Sequence, residues 1–353
     1  KASIIMQDCV IAFNHQGGLT GGGYVNCVIT NNTILKSKYG IRLLATPGNM
    51  NRDITISDNI LSSSDTTDYL MRGGIEVTES LNTLIKGNEI LGWKNGTGEL
   101  FEWGIIVYGH CPNTKIHNNK IHDIYSLGWG AYGIKYSNES NSNPPSEIIN
   151  NLIYDIKAPY GPNPGVANNL AYGIFIRSGS NLKIWHNTIS LTGPNIPGGD
   201  NSAPSSACIG VYEAVTTALD IRNNILRNSM TNPNNPPPGS GNEGRAYGIM
   251  FSGSTDDFSS LDYNTYYIDG YKGSIAMRWI NGYGFGDFFN TLPQWQAYTG
   301  MDVHSDTLNP MFVSDTTPVN LHPTNLNLNN TGGPKIFDTD FTGSARFDTV
   351  DHG

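Results

Sequence analysis

Ile29-Thr30-Asn31-Asn32-Thr33-Ile34 sets a frame: an apolar residue, two more residues, an Asn, one more, and an apolar residue. The frame returns as Ile56 to Leu61 around Asn59, Ile85 to Ile90 around Asn88, and Ile116 to Ile121 around Asn119. It returns again around Asn151, Asn187, Asn224 and Asn264, and an opening copy, Ile5 to Val10, carries Asp8 in the Asn place. Successive intervals from Asp8 to Asn264 are 24, 27, 29, 31, 32, 36, 37 and 40 residues. Self-similarity at such a period is the signature of a solenoid. A helical repeat would keep its length and show a 3.6-residue period. These segments are short apolar pairs rich in Ile, Val and Tyr, which read as strand. The frame is therefore two short strands meeting at a tight bend, with the Asn in the left-handed conformation that it tolerates. Stacked about 4.8 Å apart, the amides of successive coils form a ladder. Each bond is worth about 1 kcal/mol net and an unpaired buried amide costs more, so the column selects the stacking register.

A second column follows each bend: Tyr39-Gly40-Ile41-Arg42-Leu43, Gly73-Gly74-Ile75-Glu76-Val77 and Trp103-Gly104-Ile105-Ile106-Val107. Tyr132 to Tyr136, Tyr172 to Ile176 and Tyr247 to Phe251 repeat it. Ile209-Gly210-Val211-Tyr212-Glu213 fits less well, because it points Glu213 inward. Alternation buries Ile41, Ile75, Ile105, Ile134, Ile174 and Ile249. On these residues the chain resembles the right-handed parallel β-helix proteins of the pectate-lyase-like superfamily, in which an Asn ladder marks the tight turn between two strands. The resemblance covers roughly residues 3 to 280 and implies an all-β solenoid of about nine coils.

After Tyr266 the repeat fades. Leu292-Pro293-Gln294-Trp295 opens a short amphipathic helix with Pro in its first turn, followed by Asp302-Val303-His304-Ser305 and Asn309-Pro310-Met311-Phe312. This order is similar to the closing segment of secreted Bacteroidetes-type β-helix proteins. We therefore expect a solenoid over 1–269 and a C-terminal cap over 270–353, with Asp302, His304 and Arg346 structural, because open strands need a cap.

Composition bounds the function. The 353 residues carry a net charge of -9 and only 14% charged residues, which argues against nucleic acid as a partner. No apolar run is long enough to span a bilayer. With no leader visible at Lys1, the expectation is a secreted or cell-surface bacterial protein whose signal peptide has been removed. Four cysteines, Cys9, Cys27, Cys111 and Cys208, read as small core residues, although Cys9 and Cys27 lie in neighbouring coils and a bridge between them stays open. The chain begins inside a coil, so that coil is an expected seat for self-association or a neighbouring domain.

The stretch from each bend to the next Gly grows from 6 residues (Ile34 to Gly40) to 22 (Leu226 to Gly248), while the return arm stays between 14 and 19. Long loops on one corner of a repeat protein mark a binding face. Alternation lists the outward positions beside that wall as Arg42, Glu76, Ile106, Lys135, Phe175, Tyr212 and Met250, then Tyr108 and Arg177 in the next column. Phe175, Tyr212 and Met250 form a ridge on which sugar rings would stack, with Arg42 and Glu76 on the same face. Proton abstraction next to a carboxylate needs a base and a positive charge. In lyases of the resembling superfamily Lys or Arg on this strand face supplies the base, which implies Lys135 as base and Arg177 as carboxylate clamp beside Tyr108. No complete catalytic set stands out. The expected function is a carbohydrate-binding or adhesive scaffold whose partner is a polysaccharide or other glycan. The alternatives are a uronide lyase and a structural subunit of an extracellular assembly. No cofactor is expected, calcium entering only with the lyase reading.

Overall fold

The computed structural model describes residues 5–12, 19–37, 39–63, 73–95, 101–126, 130–158, 170–194, 205–212, 216–231, 244–280, 285–328 and 331–346. Each coil contributes three strands. A Gly–Ile strand, such as Tyr39–Leu43 or Gly73–Thr78, opens it. An approach strand, such as Asn51–Ser57, runs into the Asn bend, and an exit strand, such as Ile60–Ser62, leaves it. Each strand pairs in parallel with its equivalent one coil on, so Ile41 faces Ile75, Ile75 faces Ile105, and Ile105 faces Ile134. Exit strands stack into their own sheet from Val10–Ala12 to Thr265–Tyr267. The result is a parallel β-helix. Ile29, Ile56, Ile85 and Ile116 before the bend, and Ile34, Leu61, Ile90 and Ile121 after it, fill the interior with no exposure.

The ladder is continuous. Asn32 Nδ2 donates to Asn59 Oδ1 at 2.9 Å, and the chain of bonds runs through Asn88, Asn119, Asn151, Asn187 and Asn224 to Asn264. Each Oδ1 also accepts the backbone N–H of the preceding Asn, as Asn119 does from Asn88 at 3.1 Å. The left-handed residue is not the ladder Asn but the one before it: Asn31 (φ 60), Asp58 (φ 55), Asn118 (φ 54), Asn150 (φ 57), His186 (φ 54) and Asn223 (φ 58). The opening coil is shifted accordingly. Met6 pairs with Ile29, Asp8 takes the left-handed place (φ 53), and Cys9 stands in the ladder, donating its N–H to Asn32 Oδ1 at 3.0 Å. The frame Ile5 to Val10 was thus one residue out of register.

The glycines of the Gly–Ile strands are set by close approach. A Cβ on Gly104 would lie 2.3 Å from Ile121 Cγ2 and 2.7 Å from Gly133 O, and Gly74 and Gly133 meet the same two obstacles. The strand Ser206–Val211 departs from this. Ile209 pairs with Ile174 and Gly210 with Phe175, so Cys208 occupies the glycine place and Tyr212 moves along to the column of Arg177. Glu213 lies outside the described residues, as do most of the long connections: 64–72, 96–100, 127–129, 159–169, 195–204 and 232–243. The expected loop wall falls there, although the strand ends that bracket those connections stack at one corner.

Ser274–Ile280 adds a further parallel strand to Ala246–Phe251, and Phe285–Phe289 then turns back antiparallel. Helix Leu292–Thr299 places the fully buried Trp295 against Phe251 and Phe289. Asp302, also fully buried, receives the last ladder amide, Asn264 Nδ2, at 3.3 Å, together with Trp295 Nε1 and the Tyr266 hydroxyl, each at 2.7 Å. Ser305 Oγ accepts the Asn264 N–H at 2.8 Å, standing in for the amide of a next coil. His304 pairs with Asp262 at 2.7 Å. All four cysteines are free, so Cys9 and Cys27 form no bridge. No helix among the described residues is long and apolar enough to cross a membrane.

Candidate functional site on the Gly–Ile face

Strict alternation fails at the glycine. Gly104 and Ile105 both face the interior, since the missing Cβ of Gly104 points at Ile121 and Ile105 packs in the same core. The aromatic residue before the glycine is thereby turned outward. Tyr39, Trp103, Tyr132, Tyr172 and Tyr247 line up outside the coil and pack with Ile106, Phe175, Met250, Met277 and Trp279 as a second apolar cluster. The aromatic-Gly pair is visible in the sequence, but a strict two-residue period would carry its ring to the same side as the buried Ile. Glu102, one residue earlier, is fully buried within the same strand.

This second cluster changes the standing of the expected sugar ridge. Phe175 has no exposure and Met250 only 4%, so neither presents a free face for stacking. Phe175 is held between rings: Tyr172 at 4.7 Å, Tyr132 at 5.3 Å and Tyr212 at 6.4 Å between centroids. Gly210 makes this possible, because a Cβ there would lie 2.4 Å from the Tyr172 ring. Phe175, Tyr212 and Met250 do meet at one place, a narrow apolar seam completed by Tyr172, Trp279 and Ser252. Tyr212, half-buried, and Tyr108, 45% exposed, are tyrosines on this face that reach solvent.

The charged candidates fall into two groups. Arg42 Nε and Glu76 Oε2 bond to each other at 2.5 Å, and the Arg42 guanidinium lies 4.2 Å from the Tyr39 ring centre, so both are engaged within the face. Lys135 stands opposite Ile106 and Phe175. Its Nζ lies 4.7 Å from the Phe101 ring centre and 4.8 Å from that of Tyr132. Burial, and behind it the positive charge of Arg177, bring the Lys135 ammonium down to about 8. The two rings oppose that shift by stabilising the cation. Tyr108 stands opposite Ser137, two positions along the strand from Lys135's level, and Arg177 lies between Ile176 and Ser178, which pair with Tyr136 and Ser137. The structure brings Lys135 and Arg177 into electrostatic contact and leaves Tyr108 to one side. Among the described residues no three His, Cys, Asp or Glu side chains converge as a metal cage.

Chemically, this face offers a half-buried amine between two rings, a second cation beside it, and exposed tyrosines in flanking coils. Neither a curated protein nor a solved structure matches the chain. The family model described as right handed beta helix region matches residues 1–189, and with the stacked parallel coils and continuous Asn ladder this places the chain in the right-handed β-helix family.

Proposed function

We propose that this protein is an extracellular β-helix scaffold that holds a polysaccharide along the outer face of its Gly–Ile strands. The observation that carries the reading is the set of solvent-reaching side chains Tyr108, Arg177 and Tyr212 beside a floor of buried aromatic rings. Tyr108 and Tyr212 sit three coils apart, about 14 Å at the coil spacing, a span that several sugar units cover. Tyrosine offers a C–H-binding ring and a hydroxyl for the sugar rim, and a buried floor fixes the ring without further ordering cost. A chain with only 14% charged residues supports an extracellular location. Binding to a glycan array tests the reading. Tyr108→Ala and Tyr212→Ala are expected to weaken the bound glycan by about three- to tenfold each, the worth of one aromatic contact. Unchanged binding in both variants, or no binding to any glycan, would overturn it.

Lys135 favours a second reading, a uronide lyase. An amine brought to about 8 beside a fixed cation has the properties of a general base acting next to a carboxylate. The base would take the proton α to the carboxylate and the glycosidic oxygen on the β carbon would leave, giving an unsaturated product that absorbs in the ultraviolet. The rate would rise with pH through about 8 and vanish in Lys135→Met. No product from any uronic-acid polysaccharide, with or without calcium, removes this reading and leaves the binding one intact.

A further inference from the structure

The left-handed residue before each ladder Asn carries a polar side chain to the outside of the bend. On the early coils this column is open: Asp8, Asn31 and Asp58 are exposed. On later coils Asn150, His186 and Asn223 are each 1% exposed. The difference is the segment 331–346, which returns from the C-terminal cap along the outside of the bend. Gly333 N–H donates to Asn223 Oδ1 at 2.8 Å, and a Cβ on Gly333 would press within 2.8 Å of the Tyr263 ring. Asn150 Nδ2 donates to Thr339 O at 2.7 Å while its Oδ1 accepts from Arg346 Nη2 at 3.0 Å. Asn118 Nδ2 donates to Asp340 O at 3.1 Å and to Phe341 O at 3.0 Å. Phe337 meets the His117 ring edge-on at 5.4 Å.

We propose that this corner is a docking track for an extended polypeptide, and that segment 331–346 is its resident occupant, a strap that leaves the track without unfolding the solenoid and is exchangeable with the same segment supplied in trans. Three observations carry this. First, the track reads main chain: four of the strap's atoms bonded to Asn118, Asn150 and Asn223 are a backbone N–H or carbonyls. Second, residues 338–346 of the strap close a hairpin on themselves. Asp340 N–H donates to Ser344 O, Arg346 N–H to Asp338 O, and Thr339 bridges Ala345. Of its residues only Gly333 is buried, so few apolar contacts resist release. Third, the uncovered track is compatible with water, since Asn31 and Asp58 hold the same bend position in the open. The ladder runs inside this column and keeps its own bonds whether or not the strap is seated.

The test uses the full chain with a protease site introduced at residues 329–330 and cut after folding. The nicked fragment is expected to dissociate reversibly while the solenoid keeps its strand circular dichroism, and a labelled peptide of residues 331–346 is expected to take its place. Asn150→Ala and, separately, Arg346→Ala should weaken the peptide by about fivefold per hydrogen bond removed. In the uncut protein, the amide hydrogens of Gly333, Asp340 and Arg346 should exchange well before those of the ladder. The proposal fails if the strap amides exchange only together with the ladder, if release of the fragment collapses the solenoid, or if no labelled peptide rebinds.

Discussion

Asn119 illustrates how much one side chain carries at the bend. Its Nδ2 donates to Ile85 O, His117 O and Asn151 Oδ1, all at 3.0 Å, and its Oδ1 accepts from both nitrogens of Asn88. Asn119→Ala would leave a buried N–H and buried carbonyls unpaired, so a loss of about 3 kcal/mol is expected in urea unfolding. Asn31→Ala, one column out and exposed, should cost about 1 kcal/mol, mainly for the left-handed backbone. Equal losses would show that the ladder bonds do not set stability. A second residue-scale prediction concerns Asp155. Burial, and then the hydrogen bond that its protonated form donates to neighbouring Asp123, raise its pKa, against the pull of Lys157. His122, which bonds Asp123 at 2.8 Å, and Tyr154 complete the surroundings. A carboxyl with a raised folded pKa binds its proton more tightly in the folded state. Its contribution to stability therefore falls as pH rises from the unfolded value through the folded one. Asp155→Asn should raise the melting temperature at pH 7.5 and leave it little changed near pH 3.5; a loss at both would show that the Lys157 pair outweighs the repulsion.

At the scale of the element, the Gly–Ile strand is defined by what its glycine permits. The bend residue of the same coil drives its methyl into the space a Cβ would fill, and the next coil's carbonyl approaches from the side. Gly104→Ala should therefore cost several kcal/mol, because both neighbours are rigid and one is backbone. An unchanged denaturation midpoint would mean that the coils can spread. Cys208 shows a tolerated exception, fully buried with its thiol on Arg227 O at 3.3 Å. The same glycine turns the preceding aromatic outward and so builds the floor on which the candidate site rests. The repeat of aromatic-Gly-Ile was legible, and the inward Ile column is fully buried. Tyr212 points outward as expected but stands in the next column, because the coils align on Ile209 rather than on Gly210. Burial of Phe175 was illegible for a related reason: its cover comes from Tyr132 and Tyr172, whose rings strict alternation would not bring to the outer face.

The whole molecule behaves as a stack in which each coil touches its neighbours, so stability is a sum of local terms and opening proceeds from an end. The C-terminal end is closed by Trp295 and Asp302. Trp295→Ala is expected to remove about 3–5 kcal/mol and to do so locally. Hydrogen exchange should then speed up around Asn264 and leave the coil of Asn88 protected. Uniform loss of protection would mean that the stack unfolds as one unit.

The sequence by itself determined the repeat, the strand period, the ladder and the apolar interior. These depend on spacing along the chain, and a stacked amide or a buried Ile is dictated by its own coil and the next. Only the tertiary structure decided which residue of the bend is left-handed, where the opening coil and the coil of Ile209 sit in register, which outward side chains reach water, and that residues 331–346 lie on Asn118, Asn150 and Asn223. Those outcomes rest on contacts between residues up to 223 positions apart, which no local period encodes.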